Sequence, residues 1–150
     1  MGKNKLQKFK ELNNIKNTIQ PDKKVLLNNQ FALRGEWHKE FGNKNPIILE
    51  LGCGKGEYTV QLAQKFPENN YIGIDIKGSR IWTGAKFSSQ NKLDNVRFLR
   101  TQIEFLDFCF SENEITEIWI TFPDPQIKYR RRKKRLTGIS MLNRYKKVLK

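Results

Sequence analysis

The chain has 150 residues, and its 29 Lys plus Arg against 15 Asp plus Glu leave a formal net charge of +14. That length is enough for one domain with a real core and no disulfide or metal staples, and 37% hydrophobic residues with ten Phe argue against a disordered chain. No stretch approaches the roughly 20 apolar residues of a membrane span, and the charged start MGKNKLQKFK lacks the apolar core of a secretory signal, so the chain reads as soluble, cytoplasmic and free of any membrane partner.

Residues 1–20 are polar and basic, with a weak helical pattern through Leu6, Phe9 and Leu12 that Pro21 breaks; they read as a flexible or loosely docked arm. Val25, Leu26, Leu27, Phe31, Leu33 and Trp37 supply apolar surface for one or two short helices before Gly42-Asn43. Residues 1–45 are therefore read as a basic N-terminal arm with short helices, and 46–150 as a second unit. From Pro46 strands and helices alternate. The apolar run 47–51 predicts a buried parallel strand. Tyr58, Val60, Leu62 and Ala63 predict a helix that ends before Pro67. A second strand follows at 71–75, then a helix over 77–92 carrying Ile81, Trp82, Ala85 and Phe87. A third strand is predicted at 96–100, a short helix around Phe105, Leu106, Phe108 and Cys109, and a fourth strand at 118–122. Met141, Leu142, Tyr145 and Leu149 predict a closing helix.

Four strands separated by helices predict an α/β, doubly wound, Rossmann-like and mostly parallel sheet. Right-handed crossovers put the 47–51 strand centrally, beside the 118–122 strand, with the sheet edge open beyond it. Trp82, Trp119 and the Phe residues are assigned to core packing, and His38 to the surface or a helix contact.

The charge is uneven. Residues 1–46 carry a net +6, residues 47–127 a net −3, and residues 128–150 hold eleven basic side chains and no acid. A basic block of that kind suits a polyanion, nucleic acid first and an anionic membrane second, against the alternative of a solvated tail. Cys53 and Cys109 form no C-x-x-C pair and there is one His, so no zinc site of ordinary spacing exists and no metal is expected. Both cysteines read as buried thiols of a reducing compartment.

Ligands of open α/β sheets bind at the carboxyl ends of the strands. There the turn Gly52-Cys53-Gly54-Lys55-Gly56 follows the first strand, and Asp75 ends the second, nineteen residues beyond Gly56. Glycine lets a ligand approach the backbone, and a carboxylate at that spacing accepts both hydroxyls of a ribose. The alternative for Asp75 is a cap on the next turn. This pattern indicates an adenosine-containing cofactor without choosing between NAD and S-adenosylmethionine. The third glycine comes one residue earlier than in G-x-G-x-x-G, which favours a nucleoside without a pyrophosphate. Glu50 adds a second acid beneath the turn.

The segment Ile48-Leu49-Glu50-Leu51-Gly52-Cys53-Gly54-Lys55-Gly56 resembles motif I of class I S-adenosylmethionine-dependent methyltransferases. The run from Thr121-Phe122-Pro123-Asp124-Pro125 through the basic stretch to Arg135-Leu136-Thr137 resembles the signature loop of the tRNA (guanine-N7-)-methyltransferase family. The similarity covers roughly residues 46–150, and the MGKNKL start is also similar to some members. It implies S-adenosylmethionine as cofactor, held by Glu50, Gly52, Gly54, Asp75, Gln102 and Asp124, and tRNA as partner. It places Asp124 at the methyl-transfer centre, Lys128 on the substrate, and Arg130, Arg131, Arg132, Lys133, Lys134 and Arg135 on the RNA. Relatives often have an acid at the Gln102 position and Trp-Pro at Gln126-Ile127. They also continue through further strands, so the resemblance implies a fold cut short after the fourth strand and its helix, incomplete at the C-terminus. Oligomeric state, monomer or homodimer, stays open.

Guanine N7 has a free lone pair, so its methylation needs no general base and catalysis is largely positioning. Asp124 would offset charge on the purine or accept its N1–H and amino hydrogens, the alternative being an Asx turn in Pro123-Asp124-Pro125. The basic run would bind phosphates with little sequence information, with Tyr129 available to stack on a base. The expected activity is transfer of methyl from S-adenosylmethionine to N7 of a guanine in tRNA. The rival readings are a catalytically incomplete RNA-binding fragment that keeps the cofactor half, and a small nicotinamide-dependent oxidoreductase, which lacks a catalytic Tyr–Lys or His set.

Overall fold

Hydrophobic periodicity sets the order of elements in a computed structural model that describes residues 3–150; Met1 and Gly2, at the head of the MGKNKL start, lie outside the described residues. The elements are α1 (Lys3–Leu12), β1 (Thr18–Ile19), α2 (Lys23–Leu27), α3 (Trp37–Phe41), β2 (Ile47–Leu51), α4 (Glu57–Lys65), β3 (Asn70–Asp75), α5 (Gly78–Gln90), β4 (Val96–Arg100), α6 (Leu106–Cys109), β5 (Glu117–Trp119) and α7 (Ile139–Val148). Five parallel strands lie in the order β1-β4-β3-β2-β5. The run at 47–51 is buried at every position, as a strand covered on both faces must be. It pairs with β3 on one side and β5 on the other, the central place expected for it. Alternate residues feed two cores. Leu49 and Leu51 join Trp37, Ile72, Leu99 and Tyr145 on one face, while Ile48 joins Val60, Ile81, Ala85 and Phe98 on the other.

Three expectations need correction. The N-terminal arm is not loose. Leu12 is fully buried in the second core, Trp82 Nε1 donates to Glu11 Oε2 at 2.9 Å, and Lys8 and Lys86 hold their ammonium groups 4.7 and 4.6 Å from the Trp82 ring. Thr18 and Ile19 then add a fifth strand beside β4. Asn17 secures that edge, its carbonyl accepting from Phe98 N–H at 2.8 Å and its amide donating to Ser88 Oγ at 2.7 Å. Second, the last strand is shorter than 118–122. Its ladder with β2 ends at the Glu50–Trp119 pair, after which the chain bends away. Third, not every aromatic is core. Trp119 lies on the open edge, and Phe66, Phe87 and above all Phe122 are exposed. Trp37, by contrast, stacks on Phe110 at 5.2 Å and donates its indole N–H to Cys109 O. His38 is half-exposed beside Glu36, the surface position expected of it.

Candidate active site

The turn after β2 is built by glycine conformation and by one carboxylate. Gly52, Gly54 and Gly56 have φ of 72°, 57° and 76°, the left-handed region that side chains disfavour. Gly52 N–H and Cys53 N–H both donate to Ile74 O, at 2.8 and 3.0 Å. Asp75 then clamps the turn from the tip of β3. Its Oδ2 accepts Gly54 N–H at 3.0 Å and its Oδ1 accepts Lys77 N–H at 2.8 Å. The capping role and the ligand-facing role proposed for Asp75 are thus compatible, because each oxygen keeps a lone pair. The early third glycine has a packing reason. A Cβ on Gly56 would sit 2.4 Å from Phe98 Cε1, and one on Gly84 would sit 2.6 Å from Lys55 O, so the turn, α5 and the Phe98 ring meet at van der Waals contact.

Gly56 has no side chain with which to cap α4, and the Glu50 carboxylate supplies the acceptor instead. Glu50 Oε2 accepts Thr59 N–H at 3.0 Å and the Thr59 hydroxyl at 2.6 Å. Its Oε1 accepts the Thr121 hydroxyl at 3.0 Å. A negative charge under a helix N-terminus is favourable by itself. Glu50 thus ties β2, α4 and the loop after β5 together from a buried position.

A cavity of about 350 Å³ opens beside the turn. It brings together Gly52, Asp75, Gln102, Asp124 and Lys134 among the residues singled out from sequence. Ile76, Thr101, Ile103, Glu104, Gln126 and Leu136 complete the lining. Ile76 and Thr101 follow strand ends directly, and Ile103 and Glu104 come three and four residues beyond β4, so their place near the carboxyl edge of a parallel sheet was the available signal. Glu50 and Gly54 lie behind this lining, bonded to Thr59 and Thr121 and to Asp75 respectively. Asp124 stands exposed, with Oδ1 accepting Gln126 N–H at 3.0 Å in an Asx turn.

The basic stretch leaves the cavity wall as an exposed 3-10 turn, Tyr129–Lys134. Lys128, Arg130, Arg131, Arg132 and Lys133 point into solvent outside the cavity, and the Arg132 guanidinium lies 4.3 Å from the Tyr129 ring centre. Arg135 is half-buried, with Nε and Nη2 each 3.4 Å from Gln126 O. Both thiols are buried. Burial, with Glu50 and Asp75 nearby, holds the Cys53 thiol well above its usual range. Burial pushes Cys109 up to about 12.

Comparison with known proteins bears on the family and the fold. Residues 44–150 match a family model described as "Putative methyltransferase". The tRNA (guanine-N(7)-)-methyltransferase of Christiangramia forsetii is 59% identical over 150 residues, covering 99% of this chain and 67% of its own length. Those of Bacteroides fragilis and Bacteroides thetaiotaomicron are 51% and 50% identical, and this chain spans 59% of each. The chain therefore spans about three fifths to two thirds of these curated relatives. Among solved structures, an antibiotic related methyltransferase matches with TM-score 0.61 at 23% identity, over 77% of this chain and 58% of that one. A mutant 16S rRNA (adenine(1408)-N(1))-methyltransferase with cosubstrate SAM from Catenulisporales acidiphilia matches with TM-score 0.58 at 19% identity, over 77% and 57%. At those identities the likeness is one of fold.

Proposed function

Because the chain belongs to the tRNA (guanine-N(7)-)-methyltransferase family, we propose that its cavity takes S-adenosylmethionine and that it moves the methyl group to N7 of a guanine in tRNA. The observation that carries this reading is the convergence of Gly52, Asp75, Gln102, Asp124 and Lys134 on one cavity, from whose wall the basic turn departs. In this reading residues 46–150 are the cofactor-binding unit and residues 1–45 a basic flank, acting in the cytoplasm. No helix among the described residues is long and apolar enough to cross a membrane.

The residues present fit the cofactor. Asp75 keeps one lone pair on each oxygen after accepting Gly54 and Lys77 N–H, enough for two adjacent ribose hydroxyls. Ile76 and Ile103 offer apolar faces, and Gln102 and Glu104 polar groups, to the adenine. Gly52 leaves its backbone open to close approach. Glu50 would act from behind, holding the N-terminus of α4 in place. When bound, S-adenosylmethionine supplies a methyl group on a positively charged sulfur.

The chain's own part is to hold guanine N7 in line with that methyl, which needs no proton removed from N7. Asp124 has Oδ1 fixed by Gln126 N–H, which presents Oδ2 to the guanine N1–H and amino group, or to the charge that grows on the ring. Lys128, Arg130, Arg131, Arg132, Lys133, Lys134 and Arg135 would hold tRNA phosphates, which position the substrate without reading its sequence.

The test is methyl incorporation into unmodified tRNA, with the product identified as 7-methylguanine after digestion. Asp124→Ala abolishes transfer and leaves the melting temperature unchanged, because Asp124 is exposed. Full activity of that variant overturns its role. RNA binding by the unsubstituted chain without any transfer favours the incomplete RNA-binding reading instead.

A further inference from the structure

Two aromatic rings stand exposed beside the proposed methyl-transfer centre. Phe122 is 81% exposed and lies two residues before Asp124, while Tyr58, on the first turn of α4, is 42% exposed. Their ring centres are 6.0 Å apart at an interplanar angle of 61°, an edge-on contact that leaves flat ring surface open. Apolar rings left in water forfeit the burial that stabilises the others, and nothing in the sheet requires aromatics here.

The pair is nevertheless held in place. Thr121, next to Phe122, and Thr59, next to Tyr58, both donate their hydroxyls to the carboxylate of Glu50, at 3.0 and 2.6 Å. An Asx turn closed by Gln126 N–H begins two residues beyond Phe122. One buried carboxylate thus ties the residues next to both rings, through the Thr59 and Thr121 hydroxyls and Thr59 N–H. The loop that continues from Phe122 suits a polyanion, since residues 128–135 carry seven basic side chains and no acid. Tyr129, the aromatic expected from sequence to stack on a base, has Arg132 lying over its ring.

We propose that Phe122 and Tyr58 form a stacking platform for an unpaired nucleobase of the RNA substrate, next to the guanine that is methylated. This rests on the tRNA reading above. Base stacking on an aromatic ring is tolerant of sequence, and the cationic loop supplies the phosphate contacts that accompany it.

The test measures dissociation constants of the full chain for unmodified tRNA and for a single-stranded oligonucleotide, across a salt series. Phe122→Leu keeps apolar bulk and removes the flat ring. It weakens binding about tenfold or more, the loss of one base stack, and leaves the slope of log affinity against log salt unchanged. Tyr58→Leu weakens it in the same direction, and Phe122→Trp restores binding. The thermal melt of Phe122→Leu stays that of the unsubstituted chain. Affinity within twofold of the unsubstituted chain, or loss that Trp does not rescue, overturns the platform. Unimpaired methylation of tRNA by Phe122→Leu with unchanged affinity sinks the platform alone. Phe122-dependent binding without any methyl transfer sinks the methyltransferase reading and leaves the platform standing.

Discussion

Replacing Glu50 measures how much of the site is held together from beneath. Its carboxylate accepts three donors, Thr59 N–H, Thr59 Oγ1–H and Thr121 Oγ1–H. In Glu50→Ala the Thr121 hydroxyl, half-exposed, turns to water, but Thr59 is 1% exposed and cannot. Two buried groups left unpaired cost about 1–3 kcal/mol each, so about 4 kcal/mol is expected together. For a chain of this size that lowers Tm by about 8–16 °C. Glu50→Gln keeps one acceptor and turns an NH2 group toward a donor, and loses about half as much. Thr121→Val cuts only the tether to the loop, for about 1 kcal/mol. Circular dichroism melts at neutral pH, paired with calorimetric titration of S-adenosylmethionine, separate the roles. If Glu50→Ala melts within about 2 °C of the unsubstituted chain, the carboxylate is not the cap of α4. If Glu50→Gln instead loses cofactor affinity at unchanged Tm, Glu50 is a ligand-binding group, as its place in motif I first implied.

Gly84→Ala isolates the contact between α5 and the glycine turn. Alanine gains about 1 kcal/mol of helix propensity, yet its Cβ would lie 2.6 Å from Lys55 O and from Phe98 Cζ. Overpacking of about 1–3 kcal/mol outweighs the gain. The variant therefore melts below the unsubstituted chain; a raised Tm refutes the close approach. Alkaline pH tests the buried acids. Cys109 and Tyr145 are both pushed up to about 12 by burial, so they stay neutral in the fold while their unfolded counterparts ionise. Stability is fully present below about pH 8.5, the unfolded thiol's range, and falls as pH rises toward the folded values. Melts between neutral and alkaline pH should fall progressively, and more shallowly for Cys109→Ala. A flat profile contradicts the burial argument.

The sheet was legible where burial leaves a largely apolar run, at 47–51 and 71–75, because a strand covered on both faces is mostly apolar, and at 96–100 Val96, Phe98 and Leu99 still mark a strand although Arg97 and Arg100 interrupt it. The β1 pairing was not, since two residues carry no periodicity and Thr18 and Ile19 gain partners only from β4. The docking of α1 was missed for a related reason: Leu12 finds its place in a core assembled by residues 48–98. At the site, strand ends and spacing pointed to Gly52 and Asp75, the family resemblance to Gln102 and Asp124, and all four line one cavity. The partners of Glu50 lie nine and 71 positions away, and no local pattern announces Thr59 or Thr121 as its donors. Phe122 was misread as core because hydrophobicity alone does not distinguish an edge loop from a strand.

The clamp at Asp75 has a consequence for recognition. Its two oxygens are already tied to Gly54 and Lys77 before any ligand arrives. The rotamer freedom that an unrestrained carboxylate surrenders on binding, about 0.5–1.5 kcal/mol, was surrendered here when the chain folded. A ribose held by Asp75, as proposed, would find a stationary acceptor pair, so discrimination there would depend on hydroxyl geometry and not on adaptation of the protein. A nucleoside lacking one of those hydroxyls would leave an oxygen that cannot swing away to water.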